Sequence, residues 1–385
     1  MNHRRRSTFG SVLARCGVGM ALFGAVIVLG GVGVGAARGA DTWPLFRGNT
    51  LATGVVEGSL PEKLDVLWKF KSKEGGFEAT AVIDHELVFV GSLDGNFYAI
   101  DRAKGEERWK YHTELGFSAA AAVADGRVYA GDADGKFYAF NAADGELLWG
   151  FEASAEINSA PNFYKDLVLF GSQDATLYAL DAATGKLAWK YAIGDQIRCS
   201  PTVVDGRAMV AGCDGKLHVI RLEDGQEIGA VVIDSPTGST PAVLGDQLFF
   251  GTEGGTFFAI DWRAAKVSWT AKSERGQSIR SSAAVTPELA IVGARDKRVH
   301  AFQVSDGKEA WSFATRSRVD SCPVVVGERV FFGSGDGRLY GLDRKTGEKT
   351  WYYEAGGQFT ASPAVAAGRM VIGNQDGTLY CFGEK

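Results

Sequence analysis

"LYALDAATGKLAWKY", residues 177–191, joins an alternating apolar run to an Asp, a Thr-Gly turn and a Trp. Alone it could pass for a ligand-binding signature. Across the chain, however, it is one copy of a unit. Related stretches are "GSLDGNFYAIDRAKGEERW" from 91, "GDADGKFYAFNAADGELLW" from 131, and others from 171, 211, 251, 293 and 333, with "GNQDGTLYCFGEK" from 373. The turn position they share falls at Gly95, Gly135, Ala175, Gly215, Gly255, Lys297, Gly337 and Gly377. Every step is 40 residues except one of 42, where "AKSERGQSIRSS" carries two extra residues. A period kept this strictly is the mark of a repeat architecture.

Each unit reads as four short strands. "SPTVVDG" or "SPAVAAG" alternates small and apolar residues and then turns; "RVYAG" or "RVFFG" follows; an Asp-Gly pair supplies positive φ cheaply and closes a hairpin. A third strand such as "KFYAF" leads through an "AATG"-type turn to a fourth carrying the Trp. No stretch sustains a helical period, so the pattern predicts an all-β, eight-bladed propeller of four-stranded antiparallel blades. The eighth unit stops before its Trp, while "LDVLWKF" (64–70) places a lone Trp68 41 residues before Trp109. This predicts that the N-terminal Trp68 strand completes the last blade and removes the free sheet edges.

The repeat resembles the tryptophan-docking motif of the PQQ-repeat propellers, a group that includes quinoprotein alcohol dehydrogenases and the BamB-like outer-membrane assembly scaffolds. The resemblance covers roughly residues 65–385, and "WPLFRGNTLATG" (43–54) is similar to the lead-in found before many such propellers. It implies that Trp68, Trp109, Trp149, Trp189, Trp269, Trp311 and Trp351 lock neighbouring blades together. An indole offers a large apolar face and an N–H that needs an acceptor, which suits such packing. Gly229 stands where the eighth Trp would be, so the seam after blade four is expected to be the loosest.

The resembled dehydrogenases carry adjacent cysteines, an acidic and amide calcium site, a catalytic Asp and long insertions. Here Cys16, Cys199, Cys213, Cys322 and Cys381 are all isolated, and the only insertion is two residues long. Cys199 and Cys213 stand one residue out of register for a hairpin disulfide, so free thiols are expected. The five histidines show no metal-ligand spacing, and His218 and His300 occupy the Tyr position of the third strand. The expectation is therefore no catalytic residue, no metal and no cofactor; a PQQ- and calcium-dependent enzyme is the alternative, and a small-ligand or glycan-binding module a third reading.

Where the repeats differ, two candidate sites emerge. The residue two before each "SP" pair starts an innermost strand beside the central channel: Glu78, Ser118, Asn158, Arg198, Gly238, Arg280, Asp320 and Thr360. Polar residues suit a wet channel mouth; they also suit a pocket for a polar ligand or a partner's loop. The second is basic. Blades five to seven hold Lys272, Arg275, Arg295, Arg316 and Arg318, with further cations at Arg263, Lys266, Lys297 and Arg298, as a candidate docking face.

Residues 1–40 stand apart: "MNHRRRSTFGSVLAR" is basic, and 16–37 carry no charge before a small-residue end. This is the pattern of an export signal, and the apolar run is also long enough for an uncleaved anchor. The domain reading is thus 1–40 signal or anchor, 41–64 lead-in, 65–385 propeller. Net charge is −5; without the five arginines of 1–40, 36 basic residues (41 less 5) face 46 acidic ones, a balance of −10. Nucleic-acid partners need the opposite field. The expectation is an exported, periplasmic or envelope protein, monomeric, touching membrane only through an anchor, and binding envelope proteins through loops and channel face.

Overall fold

Asp-Gly and Thr-Gly turns dictate the local structure. Gly95, Gly135, Gly215, Gly255, Gly337 and Gly377 all take positive φ, and at the same place Ala175 and Lys297 adopt φ of 68° and 70° at some strain. In the computed structural model, which describes residues 41–56 and 58–385, these turns fold each unit into a four-stranded antiparallel sheet. Blades one to seven span 82–112, 122–152, 162–192, 202–232, 242–272, 284–314 and 324–354. Blade eight combines Ala364–Ala366, Arg369–Gly373 and Thr378–Gly383 with strand β2, Asp65–Lys71. Trp68 pairs with Cys381 there, so the ring closes as the period predicts. The readings of residues 1–40 lie outside the described residues. Among those described, no helix is long and apolar enough to cross a membrane.

Six tryptophans dock alike. The indole N–H of Trp68, Trp109, Trp149, Trp189, Trp269 and Trp311 donates to the carbonyl of Arg102, Ala142, Ala182, Leu222, Val304 and Arg344, each in the next blade's last turn, at 2.9–3.2 Å. Under each ring lies that turn's glycine: a Cβ on Gly185 would meet Trp149 at 2.5 Å, where φ is +72°. Trp351 instead meets Phe331 and Phe382 edge-on.

The seam after blade four is filled by another route, which corrects the expectation of a loose contact. Where Gly229 replaces the Trp, the facing turn carries Ala265 in place of glycine, with its Cβ 3.8 Å from the position a Gly229 Cβ would take. That turn also supplies Trp262, 2 % exposed, in a core cluster continuous through blades three to five. Its N–H donates to Gly245 O, and the guanidinium groups of Arg263 and Arg207 lie 4.1 and 5.1 Å from its ring.

The lead-in runs once round the ring. Trp43 pairs with Ile83; carbonyls of Pro44, Thr50, Leu51, Thr53 and Gly54 then accept the N–H groups of Val123, Val203, Val243, Val285 and Val325 in turn. Strand β1, Val55–Val56, adds in parallel to Val325–Val326. The lead-in thus meets the innermost strands of blades one, two, four, five, six and seven, with the Asn162 side chain making the contact to Thr50 O from blade three.

Candidate functional site

The eight innermost strands begin at one end of the channel, and seven of them meet the lead-in towards the other. Ring positions 78, 118, 158, 198, 238, 280 and 360 line a single cavity of about 160 Å³, with Phe46 of the lead-in also in its wall. Seven of the eight residues named from the repeat differences therefore come together. Asp320 does not line it: its carboxylate takes both Nε and Nη2 of Arg295 at 2.9 Å, and Nε of Arg318 at 3.0 Å. These bonds hold the Arg295 guanidinium above its ordinary pKa.

At the mouth the acids Glu78 and Glu156 are held by neutral amides, while the base Arg280 is paired with an acid. Glu78 accepts from Gln375 at 3.0 Å; Glu156 accepts from Asn158 at 2.9 Å and Gln173 at 2.7 Å; Arg280 meets Glu253 at 2.8 Å. Arg198 differs, binding the neutral Gln196 carbonyl through Nε and Nη2 at 3.0 and 2.6 Å. Glu156, Gln173, Gln375 and Glu253 were not singled out in sequence, although each sits at a fixed offset in its repeat and a comparison of those offsets would have found them.

Below the mouth lies a belt of hydroxyls. Position 80 and its equivalents are Thr80, Ala120, Ala160, Ser200, Thr240, Ser282, Cys322 and Ser362, all lining the cavity. The backbone N–H of each from Ala160 to Ser362 donates to the side chain of the next blade's residue, ending at Thr80 Oγ1, at 2.9–3.1 Å. The belt binds blade to blade across six of the eight seams, from blade three round to blade one. Sequence inspection passed over it because Ser, Thr and Cys there look like ordinary small residues.

Arg47 of the lead-in lies just beyond the belt. It is 1 % exposed, and its Nη2 donates to Pro323 O at 2.5 Å and Ala283 O at 3.1 Å, the residues next to Cys322 and Ser282. Its Nε and Nη1 have no partner among the described residues, and burial lowers its pKa. A Cβ on Gly54 would fall 1.9 Å from the guanidinium, so the glycine makes room for it. On the lead-in side a second, larger cavity of about 510 Å³ is lined by Trp43, Val55, Val285 and Val325 among others.

The basic sector divides on inspection. Arg295 and Arg318 belong to the channel mouth through Asp320. Lys272 faces Asp234 at 3.8 Å, while Arg275 and Arg298 share Glu274 at 3.9 and 3.7 Å, so these charges are largely offset. Arg316 is exposed, and among the described residues no carboxylate pairs with its guanidinium. Large exposed apolar residues gather elsewhere, on the outer strands of blades two to four: Leu147, Leu148, Leu187, Ile228 and Val232.

His218 and His300 take the Tyr place in their strands, and also the Tyr hydrogen bond. Tyr98, Tyr178 and Tyr340 donate to Asp94, Asp174 and Asp336; His218 Nε2 meets Asp214 at 3.0 Å and His300 Nε2 meets Asp296 at 2.8 Å. Each ring is bracketed by a second carboxylate, Glu227 at 2.8 Å and Glu309 at 2.9 Å. Cys199, Cys322 and Cys381 are buried free thiols, and Cys213 is a half-buried one. Burial pushes the Cys199 and Cys381 thiols up to about 12.

The BamB crystal structure from Moraxella catarrhalis superposes with a TM-score of 0.73 at 18% identity, over 84% of this chain and 100% of that one. Quinohemoprotein alcohol dehydrogenase from Comamonas testosteroni gives 0.77 at 17% identity, over 91% and 82%. A computationally designed protein, Ika8, gives 0.74 at 19%, over 83% and 99%. At such identities the likeness is one of fold, and it extends to BamB, an alcohol dehydrogenase and a designed protein alike. No curated protein matches the chain. The family described as outer membrane protein assembly factor BamB matches residues 54–201, 195–312 and 274–383, nearly the whole ring, and the chain belongs to that family.

Proposed function

We propose that this protein is a non-enzymatic scaffold of the cell envelope that binds protein partners through its channel face and the adjoining loops. The observation carrying this reading is the pairing of an open, charged channel mouth with a far end spanned by the chain's own lead-in. One face is left for engagement, and it bears side chains that differ from blade to blade on a backbone that does not. Rigid presentation of varied loops suits recognition of a partner. The exposed apolar residues on blades two to four add a second kind of surface that associating proteins favour.

The enzymatic alternative requires PQQ, and the size of the channel cavity argues against it. A rigid three-ring tricarboxylate calls for a pocket of about 300 Å³ or more, whereas the channel cavity measures about 160 Å³ and is walled by residues that hydrogen-bond from blade to blade. The experiment is photo-crosslinking in cells from positions 118 and 238 on the channel face, with position 268 on an outer strand as control. We expect cross-links to outer-membrane assembly proteins from the first two positions alone. Saturable PQQ and calcium binding with dye reduction, and no channel-face cross-link, would replace this reading with the enzymatic one.

A further inference from the structure

The belt hydroxyls have a property their structural role leaves unused. The oxygens of Ser200, Thr240 and Ser282 each accept a backbone N–H from the neighbouring blade. A hydroxyl has one hydrogen to give besides its lone pairs, and among the described residues none of these three donates it. All three are at least nine-tenths buried and line the channel cavity. Their hydrogens are thus left to the cavity, side by side on adjacent blades.

The surroundings favour negative charge. Above the three hydroxyls, Arg198 and Arg280 flank Gly238, which lacks a side chain and leaves a notch between them. Arg198 has no carboxylate partner among the described residues. Arg47, buried beyond the belt with two unpartnered nitrogens, adds a positive charge from the opposite side. Glu78 is the one carboxylate lining the cavity, and it stands on blade one, across the ring from the notch on blade five. Convergent hydroxyl donors beneath a guanidinium are what an oxyanion needs, because each of its oxygens can accept two or more hydrogen bonds. The volume, about 160 Å³, suits one such group and little more.

We propose that the notch of blades four to six is a binding site for a single small oxyanion, either a carboxylate or a phosphate group, held by Ser200, Thr240 and Ser282 beneath Arg198. The site does not depend on the envelope reading, since it concerns the ligand chemistry of the channel and not the identity of a partner.

Calorimetric titration of the full chain with sodium phosphate and, separately, with sodium acetate tests it, chloride holding ionic strength constant. Saturable binding of at least one anion is expected, with a Kd of about 1 mM or tighter. Arg198→Gln, at an exposed position that leaves the fold intact, should weaken it at least tenfold, whereas Arg316→Gln on the rim should not change it. Preference for acetate assigns the site to a carboxylate, and preference for phosphate to a phosphate ester. Absence of saturable binding for both anions, or an Arg198→Gln protein that binds like the parent, would overturn the proposal.

Discussion

His300 shows how one substitution within a repeat changes the physics of its position. Where four blades place a Tyr that donates one hydrogen bond to an Asp, blade six, like blade four, places an imidazole between two carboxylates, here Asp296 and Glu309. Burial by itself would lower the His300 pKa, but hydrogen bonds and charge from the two carboxylates raise it above the ordinary 6.5. Burial would likewise raise Asp296, yet its bond to His300 holds it below 3.8. A raised imidazole contributes stability that is fully present below pH 6.5 and lost as pH climbs through the folded value. A depressed carboxyl contributes stability present above 3.8 and lost as pH falls through its own folded value. His300→Tyr restores the residue used by most blades and removes the upper limb. Urea midpoints between about pH 6 and 9 should therefore fall in the parent relative to His300→Tyr; parallel curves would show that folding does not raise the imidazole's pKa.

Between elements, the seams are set by paired choices. A Trp on one blade faces a positive-φ glycine on the next, and where the Trp is missing the glycine is missing too: Gly229 faces Ala265. Only a bare backbone fits under an indole, while under Gly229 a methyl group helps to fill the gap that Trp262 completes. The fourth strand of every blade also carries a bulge just before the Trp position or its equivalent, as at Leu147/Trp149 and Leu187/Trp189, which adds local twist there. Gly185→Ala, which combines strained φ with a 2.5 Å clash against Trp149, should cost about 2–4 kcal/mol in chemical denaturation. Ala265→Gly should stay within about 1 kcal/mol of the parent, because it exchanges φ strain at +50° for chain entropy. Equal effects at the two sites would mean that the indole does not set the seam.

At the scale of the whole molecule, two devices close the ring. Strand β2 knits the first strand of the propeller to its last blade, and the lead-in ties six inner strands and Asn162 together at one end of the channel. Arg47 pins that lead-in: its two carbonyl bonds reach blades six and seven from a segment that began on blade one. Arg47→Ala should lower stability by about 3 kcal/mol, since charged hydrogen bonds are lost and two buried carbonyls are left without that donor. Proteolysis should then begin within 41–56 before it touches the blades. Cleavage elsewhere first, with unchanged stability, would show that the lead-in is passive.

The sequence by itself determined the period, the number of blades, the antiparallel hairpins, the Trp docking positions and the closure through Trp68. All of these rest on local chemistry repeated eight times: turn glycines, alternating strands and one large aromatic at a fixed offset. It also picked out the channel ring, because strand direction alone puts position 78 and its equivalents at one end of the innermost strands. Only the tertiary structure decided what fills the seam at Gly229, which charges in the basic sector are already matched, and that small residues from position 80 onward form a belt. Each of these depends on groups from different blades meeting in space, such as Trp262 with Arg207 or Asp320 with Arg295, and spacing along the chain carries no record of such a meeting. The route of the lead-in was hidden for the same reason: residues 43–56 bond to partners from 83 to 326, and their backbone amides look alike in any sequence until the ring sets them in order.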